Sequence, residues 1–227
     1  MTLTALDRVA GGLIVSCQAY PGEPMRDPVV MTAVARAVLD GGATGIRAQG
    51  IDDITMIRAH TEAPLIGLLK VDGHDVFITP TVTACIEVAA AGADIVALDG
   101  TTRPRPDRQP LTASIEAIHA AGKLAMADCG SLADAVHSLA AGADCVGTTL
   151  AGYTGDRNAT TGPDFELLAQ LVANVSAPVI AEGRIRHPAD VRHALDLGAY
   201  AVVVGTAITH PTRITRTFIQ HLPTAQA

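Results

Sequence analysis

One short phrase recurs along this chain and limits what it can fold into. An alanine-rich stretch runs into a glycine and a small residue, and a β-branched run follows. It reads Gly42-Ala43 before Gly45-Ile46-Arg47, and Ala91-Gly92-Ala93-Asp94 before Ile95-Val96-Ala97-Leu98-Asp99. It returns as Ala141-Gly142-Ala143-Asp144 before Cys145-Val146-Gly147, and as Leu197-Gly198-Ala199-Tyr200 before Ala201-Val202-Val203-Val204-Gly205. Glycine accepts the left-handed backbone that stops a helix, and the run behind it has the make-up of a buried strand. Each copy therefore spells helix, stop, strand.

Four further apolar runs, at 12–18, 65–70, 124–129 and 178–182, fill the gaps between copies. Helices are predicted over 28–40, 51–60, 81–91, 111–121, 131–141, 163–174, 188–197 and 211–221, with Pro28, Ser131 and Pro188 in starting positions. Strand and helix alternate eight times with no spare strand, which favours a closed barrel over an open doubly wound sheet. A dinucleotide fold would also want a GxGxxG turn after its first strand, and that strand ends in Ser16-Cys17-Gln18. The expected architecture is an α/β chain forming one (β/α)8 TIM barrel over residues 1–227.

Composition narrows the function. Hydrophobic residues make up 48% of the chain but aromatic ones only 3%, so the core must be aliphatic, as parallel strands covered on both faces require. The net charge of −7 and the lack of a basic stripe argue against nucleic-acid binding. No signal peptide and no run of about 20 apolar residues is legible, so a membrane partner is not expected. Cys17, Cys85, Cys129 and Cys145 are widely spaced with no CxxC pair, and the eight histidines lack metal-ligand spacing. Neither a metal nor an organic cofactor is expected, and ordinary buried thiols fit a reducing cytoplasm.

In such a barrel the active site lies at the C-terminal ends of the strands. Those ends carry Gln18, Arg47, Lys70, Asp99, Asp128, Thr148-Thr149, Glu182 and Gly205-Thr206. So many ionisable or hydrogen-bonding groups converging on one mouth point to a polar small-molecule site. Phosphate is expected between the loops after strands 7 and 8, where Gly183 and Gly205 let the backbone come close and Arg184 and Thr206 add polar contacts. Lys70 closes an apolar run; desolvation in the mouth would lower its pKa toward that of a usable base. Glu182 and Asp128 are placed to hold it or relay protons, and Arg47 to pair with Glu182. Asp99 opens a loop with Arg103 and Arg105 that either lines the mouth or is solvated, and the long Gly-rich loop 151–164 reads either as a lid or as a disordered surface loop.

These segments are also where a family resemblance lies. Residues 11–19, Pro21-Gly22-Glu23-Pro24, 45–48, 75–81, 93–99 and 103–106 resemble the N-acetylmannosamine-6-phosphate (N-acylglucosamine-6-phosphate) 2-epimerases. So do 145–150 with Gly152-Tyr153-Thr154, Ala181-Glu182-Gly183-Arg184 and 198–205, in order and nearly from end to end. The resemblance implies reversible conversion of N-acetylmannosamine 6-phosphate to N-acetylglucosamine 6-phosphate in sialic-acid and amino-sugar breakdown. It also implies a cofactor-free barrel that dimerises. Lys70 matches the family's catalytic lysine and Glu182 its partner carboxylate, and Gln18, Arg47 and Asp128 match its substrate-orienting positions. Where that family reads Thr-Arg-Pro after strand 8, this chain has Thr209-His210-Pro211. Two other functions remain open on the residues alone. One is a phosphosugar aldolase of the same fold with a Lys70 Schiff base; the other is a non-catalytic sugar-phosphate-binding barrel.

Overall fold

Every strand of the repeat pairs in parallel with the next, and the last returns to the first. The computed structural model describes residues 3–155 and 157–222. Residues 1, 2 and 223–227 of the expected barrel, and Asp156 of the expected lid loop, lie outside that description. The strands are β1 (Leu13–Cys17), β2 (Gly45–Gln49), β3 (Leu65–Leu68), β4 (Ile95–Asp99), β5 (Leu124–Asp128), β6 (Cys145–Gly147), β7 (Val179–Glu182) and β8 (Ala201–Val204). They run in the order β1 to β8 around a closed barrel, sealed by Leu13↔Val202, Ile14↔Val203 and Val15↔Val204. Seven helices follow strands β1 to β7 in turn: α1 (Pro28–Asp40), α2 (Ile51–Arg58), α3 (Val82–Ala90), α4 (Leu111–Ala120), α5 (Leu132–Ala140), α6 (Phe165–Asn174) and α7 (Pro188–Asp196). Beyond β8 the chain forms a single turn, α8 (Thr206–Thr209), before α9 (Pro211–Ile219).

The local signals act as their chemistry requires. Gly42, Gly92, Gly142 and Gly198, the glycines of the repeated phrase, all take positive φ (98°, 106°, 105° and 96°) just past a helix. The Asp27 side chain accepts from the Val29 and Val30 amides ahead of Pro28, and the Ser131 hydroxyl accepts from the Asp134 amide. Two elements have no counterpart in the sequence reading, the 3-10 turn Asp7–Val9 and α8, both too short to show a period.

Side-chain alternation along each strand then sorts the residues into two layers. Ile14, Ile66, Ile95, Met126, Ile180 and Val203 form one buried cluster inside the barrel, joined at its floor by Leu6 and Val9. Val15, Ile46, Val96, Ala127, Val146 and Val202 belong to a second cluster under the helices. Burying each such Ile, Leu or Val contributes about 1.5–3 kcal/mol, so this aliphatic floor stabilises a polar layer above it. Continuing the inner series by steps of two reaches Ser16, Gln18, Arg47, Lys70, Asp99, Asp128, Thr149, Glu182 and Gly205. One parity rule carries all the chemistry to the mouth. Among the described residues no helix is long and apolar enough to cross a membrane.

Candidate active site

Arg47 stands at the centre of the polar layer, although only 1% of it is exposed. Its Nη1 and Nη2 donate to Asp128 Oδ1 and Oδ2 at 3.1 and 2.6 Å, a two-pronged pair. Nη1 also reaches Glu182 Oε2 at 2.9 Å. Burial opposes the Arg47 charge, and the two carboxylates more than offset it, so its pKa is raised. The Thr149 hydroxyl lies 2.6 Å from Asp128 Oδ1 and 3.2 Å from Glu182 Oε2, sharing one proton between the carboxylates. The Thr148 hydroxyl accepts from the Glu182 amide and donates to its carbonyl, pinning the end of β7 to β6. Room for this network comes from Gly147: a Cβ there would stand 2.6 Å from Met126 Cε and 3.5 Å from Asp128 Oδ1.

Glu182 feels its burial most. Desolvation pushes its pKa up to about 7; Arg47 opposes this, while Asp128 adds to it. Lys70 moves the other way: burial lowers its pKa, the Arg47 charge lowers it further, and Glu182, Asp128 and Asp72 oppose. Lys70 and Glu182 thus approach each other in proton affinity while each senses the other's charge. The Lys70 ammonium sits 5.0 Å from the centroid of the Tyr20 ring.

The remaining expected residues divide. Gln18 is buried and donates to the Ser16 hydroxyl at 2.9 Å, beside β1. Gly183 takes φ 109° just past β7, and Gly205 and Thr206 follow β8; of the three only Gly205 falls in the inward-facing series. Arg184 differs from the free rim cation that its position suggests. Its guanidinium donates to Gly162 O, Ala151 O and Thr160 Oγ1, and lies over the Tyr153 ring, so the side chain braces the 151–162 loop. Arg103 and Arg105 are tied to the end of β4: Arg103 binds the Asp99 carboxylate at 2.7 Å, and Arg105 binds the carbonyls of Asp99 and Thr79. His210 is buried, 3.6 Å from Glu23 Oε1 and 5.5 Å from the Tyr20 ring, beside a cavity of about 140 Å³.

Two side chains of this site were not singled out from sequence. Thr149 was only one of several polar strand ends, yet its parity with Gly147 would have marked it as inward-facing. Tyr20 sits in an irregular loop, where no period reports on its direction.

Fold and site together define a (β/α)8 barrel whose C-terminal mouth holds a half-buried lysine within electrostatic reach of two arginine-bridged carboxylates. More narrowly, the chain belongs to the N-acetylmannosamine-6-phosphate epimerase family. Residues 31–224 match the model of that family, described as "Putative N-acetylmannosamine-6-phosphate epimerase". A Cutibacterium acnes protein named "Putative N-acetylmannosamine-6-phosphate 2-epimerase" is 52% identical over 213 residues, 92% of this chain and 93% of the relative. The solved N-acetylmannosamine-6-phosphate 2-epimerase of Clostridium perfringens superposes with a TM-score of 0.95 at 44% identity, over 98% of each chain. A thiamine phosphate pyrophosphorylase from Pyrococcus furiosus, at 20% identity and TM-score 0.61, shares the fold alone.

Proposed function

We propose that this chain interconverts N-acetylmannosamine 6-phosphate and N-acetylglucosamine 6-phosphate by removing and returning the proton at C2. In the open-chain sugar C2 lies beside the C1 aldehyde, so loss of its proton gives a delocalised enolate, and no redox partner is needed. Lys70 is the base. Glu182 holds and relays a proton, and Gln18, Arg47 and Asp128 orient the substrate. The observation that carries this reading is the convergence of Lys70 and Glu182 in proton affinity around one buried arginine. A site with one proton between two such groups serves both directions of an epimerisation. Arg47, bound to two carboxylates, also holds Asp128 and Glu182 in place.

The phosphate is held at the far side of the mouth by the backbone around Gly183, Gly205 and Thr206, with Arg184 bracing the adjoining loop. The pathway is amino-sugar and sialic-acid breakdown in the cytoplasm, in keeping with four free, buried cysteines. Incubation with N-acetylmannosamine 6-phosphate, followed by NMR, is expected to yield the gluco epimer. Borohydride added during turnover is expected to leave no adduct on Lys70. A trapped adduct with cleaved substrate would replace this reading with an aldolase.

The active unit is a homodimer. Helix α9 buries none of its side chains, unlike α1 to α7, and Phe218, Ile219 and Leu222 are 74%, 57% and 66% exposed. A second copy covers this apolar face. Light scattering is expected to give twice the chain mass, and Phe218→Asp with Leu222→Asp to give a monomer. A monomeric wild type at micromolar concentration would rule the dimer out.

A further inference from the structure

Lys70 lies two residues beyond the end of β3, so the strand ladder alone does not hold it. Strands β3 and β4 share only the pairs Ile66↔Ile95 and Gly67↔Val96, then part. The segment 77–79 fills the gap. On one side, Val71 N–H donates to Phe77 O at 2.9 Å, Thr79 N–H to Leu69 O at 2.7 Å, and Lys70 faces Ile78 across an antiparallel bridge. On the other side, Asp99 N–H donates to Ile78 O at 2.9 Å. One hydroxyl joins both: Thr79 Oγ1 donates to Ala97 O at 2.6 Å and accepts from Leu69 N–H at 3.1 Å.

Thr79 is fully buried with φ 42°, a left-handed conformation that a β-branched residue adopts at a cost of about 1–3 kcal/mol. What holds it there is Arg105, 6% exposed. Its Nη2 donates to Thr79 O at 3.0 Å and its Nη1 to Asp99 O at 2.8 Å. A planar fork bridging two carbonyls is geometry that lysine cannot reproduce.

We propose that Thr79 and Arg105 are positioning residues that latch the Lys70 segment between β3 and β4 and so fix the Lys70 amine over the mouth. Neither touches the reacting carbon; both act through Lys70. The groups that face the amine, and that a slack latch would rearrange, are the Tyr20 ring, Arg47, Glu182, Asp128 and Asp72. The proposal rests on Lys70 being the base, and its test separates the two ideas.

The chain contains only two lysines, Lys70 and Lys123. Protein labelled with 13C at lysine Cε therefore gives one signal to follow and one internal control, assigned with Lys123→Arg. Thr79→Val keeps the shape but deletes both hydroxyl bonds; Thr79→Ser keeps both. Thr79→Val and Arg105→Met are expected to lower kcat about 10- to 100-fold, since displacement by about 1 Å costs this much. KM is expected to change less than about threefold by the same logic of misplaced chemistry with binding intact. The Lys70 titration midpoint should move up toward the ordinary lysine value, while Thr79→Ser stays at wild-type values in every readout. Should Thr79→Val fail to fold, Arg105→Lys carries the same readouts. Folded variants with unchanged kcat and an unchanged Lys70 midpoint overturn the latch. So does a loss of kcat matched in Thr79→Ser. A wild type that does not epimerise overturns the base assignment, and the titration still reads the latch.

Discussion

Replacing Lys70 by methionine is expected to lower kcat by about 10³-fold, the scale of a positioned general base, without lowering the melting temperature. The two halves have one cause. Burial lowers the Lys70 pKa, so between that lowered value and the ordinary lysine value the unfolded chain holds a proton that the folded chain releases. The cost builds as pH falls through that range and is full below the lowered value, and removing Lys70 relieves it. A residue kept for folding would show the reverse. The same shifts set the pH profile of the wild type. Below the lowered Lys70 pKa the amine is protonated and cannot abstract, so kcat rises with pH. Above the titration of the pair no proton remains to be returned, so it falls again. Steady-state kinetics should therefore give a bell, whose limbs belong to the Lys70–Glu182 pair and not to either group alone. A flat profile from pH 5 to pH 9 would contradict this, as would a Lys70→Met variant retaining a tenth of wild-type kcat.

Arg47→Met is expected to be the most destabilising single change at the site. It leaves Asp128, 0% exposed, and Glu182, 13% exposed, facing each other without the cation that bridges them. Removing one partner of such a buried pair costs about 3–5 kcal/mol. For a chain of this size that lowers the melting temperature by on the order of 10 °C. Protonating Glu182, whose pKa burial already pushes up to about 7, relieves the repulsion, so the difference from wild type should shrink as pH falls from 8 to 5. Thermal melts by circular dichroism at those two pH values read this directly. A loss that grows toward low pH would mean that Arg47 stabilises by packing instead.

The sequence displays this barrel plainly because its determinants are local. A glycine at a helix end and a β-branched run after it can be read within ten residues, and Gly92 and Gly142 behave as read. The polar mouth is nearly as legible, because strand parity alone brings Arg47, Asp128 and Glu182 to one wall. What escapes is set by tertiary direction. Arg184 sits at the expected strand end, yet its long side chain is drawn to the carbonyls of Ala151 and Gly162, which no local pattern reports. Thr79 and Arg105 act only because three separate segments meet, and a φ of 42° at a threonine has no signature in composition. Helix α9 was placed within two residues of its observed end, but its uncovered face is a property of the surface.

In the proposed mechanism Lys70, half-buried and within electrostatic reach of Glu182, takes the proton from C2. The direct measurement is NMR of N-acetylmannosamine 6-phosphate in D2O with wild-type protein and with Lys70→Met. The expected result is N-acetylglucosamine 6-phosphate carrying deuterium at C2 from the wild type, and neither epimer nor exchange from the variant on the same timescale. Product that keeps its original C2 proton throughout, or a variant that exchanges C2 as fast as the wild type, would contradict it.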